Sequence, residues 1–282
     1  MNGPVVSGGG AIMAMAHEEK TLALMQAVAE AAAQAAGRLA LSYLTQKKPL
    51  EIETKGPQDF VTAVDKAVEL LIRRRLREAF PDHAILGEEF GLDRQGARVV
   101  WILDPIDGTS NFMRDRPSWC VSIGTTIDGK PVLGVIFDPV RDELYSAAAG
   151  RGATRNGMPI SVNKGTALYK PVFGVGFTSG KSVAAHARLI SHILDHGCEY
   201  RRFGSSAMLL AHVADGRLDG YADAKTSVWD VIAGLVLVRE AGGVVEDFIE
   251  SGAQSGSILA AAPGAAETAS RLLAIDLQDV RT

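Results

Sequence analysis

The chain has 282 residues, 47% of them hydrophobic and 22% charged, with a formal net charge of −4 and a pI near 5.9. Such a composition belongs to a globular protein long enough to bury a sizeable core, and its acidic balance argues against a general nucleic-acid binder, which needs a basic field. No apolar run reaches the roughly 18 residues of a membrane-spanning helix. Two cysteines in unrelated contexts, Cys120 and Cys198, exclude a disulfide framework or zinc spacing and predict reduced thiols in a cytoplasmic protein.

Residues 1–16, MNGPVVSGGGAIMAMA, lack the basic start of a signal peptide and read as a flexible leader, with Met13 and Met15 as alternative starts. From His17 to about Gln46, Leu22, Met25, Val28, Ala29 and Ala32 recur with helical period. A short strand over Leu50–Thr54 and a loop at Lys55-Gly56-Pro57 lead to a second helix starting near Thr62, with a stripe of Val64, Val68, Leu71, Ile72 and Leu76 and Pro81 at its close. Arg73-Arg74-Arg75 in that helix reads as a solvated face. Strands follow at Ala84–Gly87, Val99–Leu103, Cys120–Ile127, Val132–Asp138 and Glu143–Ala147, with a hairpin signal at Asn156-Gly157. The remainder alternates: strands at Val172–Phe177, Glu199–Phe203, Leu218–Ala222 and Ile258–Ala261, and helices at Ser182–His196, Ser206–Asp215, Val231–Ala241 and around Ala265–Ala274. The pattern predicts an α+β half over residues 17–165 and a layered α/β half over residues 166–282, fused as one unit.

The chemistry concentrates in Val99–Phe112, VVWILDPIDGTSNF. A buried apolar strand ends on Asp104, Asp107 follows across Pro105-Ile106, and Gly108 turns the chain into a Thr-Ser-Asn run. Two acids at the mouth of a hydrophobic strand are costly unless a cation neutralises them, so this is a candidate metal site. A plain β-turn, which Asp-Pro and Asp-Gly both favour, is the alternative.

Upstream stands GEEFG (Gly87–Gly91) and downstream WDVIAGLVLVREAGG (Trp229–Gly243). With DPIDGTSNF between them, these motifs resemble the inositol monophosphatase family of magnesium-dependent, lithium-sensitive sugar phosphatases, in register from about Lys55 to Gly243. The resemblance implies a five-layered α-β-α-β-α sandwich with the site between the two halves. It implies two or three Mg2+ ions: Glu88, Asp104 and the Ile106 carbonyl holding one, and Asp104, Asp107 and Asp230 a second. Glu89 stands beside Glu88 as a neighbouring acid, and Asp230 also suits the start of a helix. Thr109 is expected to help Glu88 activate a water, oriented by Asp65, although Thr62-x-x-Asp65 equally fits a capping box. Lys55 matches a family lysine near the metal water network or is a solvated lysine.

Backbone N–H groups of Gly108 and Thr109 are expected to hold phosphate. None of the six histidines lies in a nucleophile motif, which favours direct attack by water over a serine nucleophile. The RFGSSA segment, with Ser205 and Ser206, resembles the family's alcohol pocket, and Asp223 falls where inositol-preferring members carry a glutamate, or is a turn acid. Where many members carry His-Gly after Asn-Phe, this chain has Met113-Arg114-Asp115-Arg116. The expected activity is hydrolysis of a small alcohol phosphate, inositol 1-phosphate first. Histidinol phosphate, or 3′-phosphoadenosine phosphate and NADP, are alternatives. The resemblance also implies lithium inhibition and a homodimer, while the acidic charge balance and the absence of a long apolar run lead to no expected nucleic-acid or membrane partner. A non-enzymatic, partner-binding use of the fold is the rival reading.

Overall fold

The computed structural model describes residues 8–46, 52–56, 59–165, 170–177, 183–249, 252–266 and 268, with side chains from residue 19 in the first helix and from residue 63 after the first hairpin. Helix α1 (Gly8–Thr45) precedes a hairpin of β1 (Ile52–Gly56) and β2 (Asp59–Thr62), then helix α2 (Ala63–Ala79). Strands β3 (Ala84–Gly87), β4 (Gly91–Leu92) and β5 (Val99–Asp107) lead into the one-turn helix α3 (Thr109–Phe112). Five strands follow: β6 (Cys120–Ile127), β7 (Lys130–Asp138), β8 (Glu143–Ala148), β9 (Ala153–Arg155) and β10 (Met158–Ile160). The rest comprises β11 (Val172–Val175), α4 (Val183–Asp195), β12 (Glu199–Arg201), α5 (Ser206–Ala214), β13 (Gly220–Ser227), α6 (Val228–Glu240), β14 (Val244–Glu246) and β15 (Ser255–Ala261). Helix α1 begins inside the stretch expected as a leader, at Gly8. The expected boundary near residue 165 lies between strands of different sheets.

Strands β3 to β10 form an eight-stranded sheet in the order β10-β9-β8-β7-β6-β5-β3-β4, and the last five strands form a second sheet in the order β12-β11-β13-β15-β14. Helices α1 and α2 cover the outer face of the large sheet, α5 and α6 lie between the sheets, and α4 packs outside the small one. The result is a five-layered α-β-α-β-α sandwich. The layers explain the sequence of β5: Trp101 and Leu103 point into the core shared with α1 and α2, whereas Ile102 points to α5 and α6. A strand buried on both faces needs a continuous apolar run rather than alternation.

Helix α6 is the middle layer and is apolar nearly all round, with Val231, Ile232, Ala233, Leu235, Val236, Leu237 and Val238 all buried. It approaches β7 so closely that a Cβ on Gly134 would overlap the Ala233 backbone, which accounts for the glycine there. Strand β1 overlaps the strand expected at Leu50–Thr54 and runs on into the expected loop as far as Gly56, whereas β2 and β14 are too short for their periodicity to show in sequence. Arg73 departs from the expected solvated face. It is buried, while Arg74 and Arg75 are exposed, because its position four residues after Glu69 turns it inward to an ion pair. Both cysteines are buried free thiols. Among the described residues no helix is long and apolar enough to cross a membrane.

Candidate active site

Strand β5 does not stop at Asp104. It continues through Pro105 and Ile106 to Asp107 with an irregular register, Asp104 opposite Ser122 and Asp107 opposite Cys120. Three steps on β5 match two on β6, so the strand carries one extra residue, a β-bulge. Pro105 is accommodated there because a bulge relieves the strand of one ladder donor. The bulge brings both acids to one end of the sheet. Gly108 then takes a φ of 101°, a left-handed conformation in which a Cβ would also come within 2.9 Å of the Ser118 carbonyl. Phe112 and Trp119, packed edge to face at 5.0 Å, anchor the turn from below.

A cavity of about 540 Å³ opens over this turn, and Glu88, Asp104, Asp107 and Asp230 all line it, together with Ile106, Gly108 and Thr109. Each acid is held by its own element. Glu88 follows β3, and its N–H donates to the Leu103 carbonyl at 3.2 Å, placing it beside β5. The Asp104 Oδ1 accepts from Ile106 N–H at 3.0 Å. The Asp107 Oδ2 accepts from Ser205 Oγ at 2.7 Å and Ala207 N–H at 2.6 Å, so the start of α5 grips an acid of the other half. Asp230, in the first turn of α6, accepts from Thr226 Oγ1 at 3.0 Å and from Ser227 N–H at 3.3 Å. Asp230 therefore caps its helix and also lines the cavity.

The partners of Asp104 and Asp107 are neutral donors, and both side chains are buried. Burial first, then the charges of Glu88, Asp107, Asp230 and Asp65, push Asp104 well above the usual carboxylate range. Burial and then Asp230 raise Asp107 to about 7, against the opposing hydrogen bonds of Ser205 and Ala207. An added cation relieves this repulsion, and the donors are all hard oxygens, as magnesium requires. Among the described residues no three acidic, histidine or cysteine side chains stand close enough to close a ligand shell by themselves. Carboxylates spread over one cavity wall still suit magnesium, because that ion retains several waters and takes substrate phosphate as a ligand.

Thr109 Oγ1 lies 3.2 Å from Asp65 Oδ1 and 3.1 Å from the Ile106 carbonyl, so its single proton is directed to one of two acceptors. Asp65 is buried at the start of α2. The capping partner Thr62 has its side chain outside the described residues, as has Lys55 in β1.

On the substrate side, Ser205 and Ser206 line the cavity. Ser205 is engaged with Asp107 and with Met208 N–H, the latter at 3.2 Å, whereas Ser206 Oγ lies 2.8 Å from Tyr221 OH. Asp223 does not reach the cavity wall. It is buried behind Gly176, accepting from Lys225 N–H at 3.0 Å and lying 3.2 Å from Tyr221 OH. A side chain one methylene shorter than glutamate stays in the layer behind.

Three supporting residues escape a motif-based reading. Glu69 is wholly buried: its Oε2 accepts from Glu89 N–H at 2.8 Å and its Oε1 from Arg73 Nε at 2.7 Å. Arg73 in turn donates to the Gly91 carbonyl at 2.5 Å, so the pair holds the middle and the far end of the GEEFG loop that carries Glu88. Asn111 Nδ2 donates to the Ser118 and Phe203 carbonyls at 2.6 and 2.7 Å, tying the DGTSN turn to the second half. The available signal is spacing: Asp65, Glu69 and Arg73 recur every fourth residue along one face of α2.

This geometry can be set against known proteins. The chain matches the model of the inositol monophosphatase family over residues 21–280. It is 42% identical over 219 residues to the protein named Nus factor SuhB of Xylella fastidiosa, covering 77% of this chain and 79% of that one. Among solved structures it is similar to the extragenic suppressor protein suhB of Bartonella henselae, with a TM-score of 0.82, 32% identity and coverage of 89% of this chain and 98% of the other. It is also similar to the inositol monophosphatase of Anabaena, with a TM-score of 0.76, 38% identity and coverage of 90% and 96%. The carboxylate-lined cavity at the end of β5 thus sits in a fold, and within a sequence, that place this chain in the inositol monophosphatase family, whose members are generally magnesium-dependent phosphatases.

Proposed function

We propose that the protein is a magnesium-dependent phosphomonoesterase that hydrolyses a small alcohol phosphate, inositol 1-phosphate being the first candidate, by direct attack of water. The observation that carries this reading is the convergence of Glu88, Asp104, Asp107 and Asp230 on one cavity that also holds the Thr109 hydroxyl. Glu88, Asp104 and the Ile106 carbonyl would hold one ion and Asp104, Asp107 and Asp230 a second, of two or three in all. When bound, magnesium neutralises phosphate charge and makes a water acidic enough to attack near neutral pH.

The chain's own residues then position and deprotonate. Thr109 donates its proton to Asp65 or to the Ile106 carbonyl, which leaves an oxygen lone pair to accept from the attacking water. Glu88 takes the water's proton, since a threonine hydroxyl stays protonated at neutral pH and is a poor base. Backbone N–H groups of Gly108 and Thr109 face the phosphate. Ser206 meets the alcohol, and Ser205 acts on Asp107. Lys55 is assigned to the water network of the same site by the family resemblance alone. Lithium inhibition, a homodimer and a cytoplasmic location complete the reading. Histidinol phosphate, or 3′-phosphoadenosine phosphate and NADP, are the alternative substrates.

The printed name of the Xylella relative, Nus factor SuhB, supports a second reading in which the fold also binds a macromolecular partner. The test is phosphate release, with and without magnesium, from inositol 1-phosphate, histidinol phosphate, 3′-phosphoadenosine phosphate and NADP. Magnesium-dependent release from inositol 1-phosphate is expected. Release that survives chelation overturns the metal reading, and a folded protein inert towards every compound leaves the partner-binding reading in its place.

A further inference from the structure

The cavity carries two signs of charge. Its floor is acidic, but Arg114, Arg116 and Arg202 also line it, and all three are exposed at its mouth. Among the described residues none of the three ends in an ion pair with a carboxylate. Arg114 Nη1 is anchored on the Ser110 carbonyl at 2.9 Å and on Ser110 Oγ at 2.8 Å, and Arg202 Nη2 reaches the Phe177 carbonyl at 3.5 Å. No partner is seen for the Arg116 guanidinium among the described residues.

The loop that presents two of them is held in shape. The Asn111 carbonyl accepts from both Arg114 N–H and Arg116 N–H, each at 3.0 Å, and Asp115 between them takes a φ of 53°. Arg141 Nη1 donates to the Pro117 carbonyl at 3.2 Å and holds the far end of the loop. A floor whose acids are satisfied by metal does not need these arginines, and they do not pair with its carboxylates. Guanidinium groups with unmade donors on a cavity wall suit planar or tetrahedral oxyanions, which they bind with two parallel N–H bonds.

We infer that Arg116 and Arg202, with Arg114 beside them, are specificity-determining residues that bind a second anionic group of the substrate, a phosphate or carboxylate remote from the phosphate being hydrolysed. This rests on the phosphomonoesterase reading and shifts its preferred substrate from inositol 1-phosphate, which has a single anionic group, to compact bis-anionic organic phosphates. The cavity, at about 540 Å³, is large enough for a sugar-sized skeleton between the two ends.

The experiment compares kcat/KM within matched pairs: fructose 1-phosphate with fructose 1,6-bisphosphate, and glycerol 3-phosphate with 3-phosphoglycerate. The wild type is expected to favour the bis-anionic member of at least one pair about tenfold or more, the sugar pair if the second group is a phosphate and the glycerol pair if it is a carboxylate. In Arg116→Gln and Arg202→Gln that ratio is expected to fall towards one through a rise in KM, and Arg116→Lys is expected to recover only part of it because ammonium cannot bind in fork geometry. Hydrolysis of both members with equal efficiency by the wild type, or a ratio unchanged in the glutamine variants, overturns this inference and leaves the phosphomonoesterase reading standing. No turnover of any of the four compounds, by protein that releases phosphate from inositol 1-phosphate, overturns this inference alone.

Discussion

Two acid clusters bridge the halves of this molecule, and they are built in opposite ways. In the first, Glu143 of β8 faces Arg217 at 2.6 Å, and Asp215 faces Arg155 of β9 at 2.7 Å and Arg217 at 3.0 Å. The hydrogen bonds of Arg217 lead the forces that pull Glu143 down to about 2, while burial keeps Asp215 above its ordinary value in spite of the two arginines. In the second, at the end of β5, more deeply buried acids meet neutral donors and one another, and Asp107 is raised to about 7. Glu143 and Asp107 thus shift in opposite directions, and the arginines beside Asp215 oppose the rise that burial causes there, as no cation does at Asp107. A cluster that supplies its own counter-charge is scaffold, whereas one that leaves acids facing a cavity without it is arranged for a ligand that brings the charge.

The sharpest way to break this comparison is Asp104→Asn. If the second cluster is functional, magnesium-dependent phosphate release should fall about a thousandfold or more, since bound metal contributes several kcal/mol of transition-state stabilisation. Without magnesium the variant should melt no lower than the wild type, because a buried repelling charge has been removed. A lower melting temperature with activity retained would assign Asp104 to the scaffold.

Next comes Glu69→Gln, which removes the closer of the two acids paired with buried Arg73 and leaves only Asp93 at 3.5 Å. Breaking a buried pair on one side costs about 3 kcal/mol or more, so a clear loss in chemical denaturation is expected. Replacing both residues by methionine should recover most of that stability. If the pair also positions Glu88, the double variant will remain impaired in kcat. Asp65→Asn tests the support of Thr109: a fall in kcat of about 10- to 100-fold, with KM little changed, is the expected scale for a residue orienting another. A change confined to KM would place Asp65 outside the chemistry.

The smallest effect concerns pH and the matched cluster. Burial first, then Arg217, lowers His212 to about 4, so its folded-state value lies below its ordinary 6.5. The folded protein therefore binds fewer protons than the unfolded chain between these values, and the contribution is complete above 6.5 and lost as pH falls towards 4. About 2 kcal/mol, allowing for partial exposure, should disappear over that window, as read by denaturation at stepped pH. The slope should flatten in His212→Gln. Loss of stability at still lower pH, from 4.5 down to about 2, belongs to Glu143, whose folded-state value is depressed by its arginine.

Much of this architecture is legible in the linear sequence because period and punctuation are local properties. Strands β3 and β6 coincide with the apolar runs that predict them, and α5 ends just before Gly216, as its terminator indicates. The short β2 and β14 are not legible, because three or four residues cannot display a period and their pairing partners are the only reason they are strands. At the site, the DPIDGT run announces acids at a strand end, but not the bulge that lets β5 continue to Asp107, since a bulge is defined against the register of β6. Asp223 shows the same limit. Counting back from Asp230 places it at a pocket position, while the packing of β13 behind Gly176 holds it off the wall.

What the sequence determines by itself is the order of the longer elements, the residues able to bind a hard cation, and the motif set of the family. These follow from propensity, turn chemistry and spacing, which need only neighbours along the chain. Tertiary structure alone decided which acids receive a counter-charge within the protein. Glu143 and Arg217 lie 74 residues apart, as Asp107 and Ser205 lie 98 apart, yet one contact neutralises its acid and the other only hydrogen-bonds it. Charge balance depends on distance in space, and only the packing of the two sheets on α5 and α6 sets that distance.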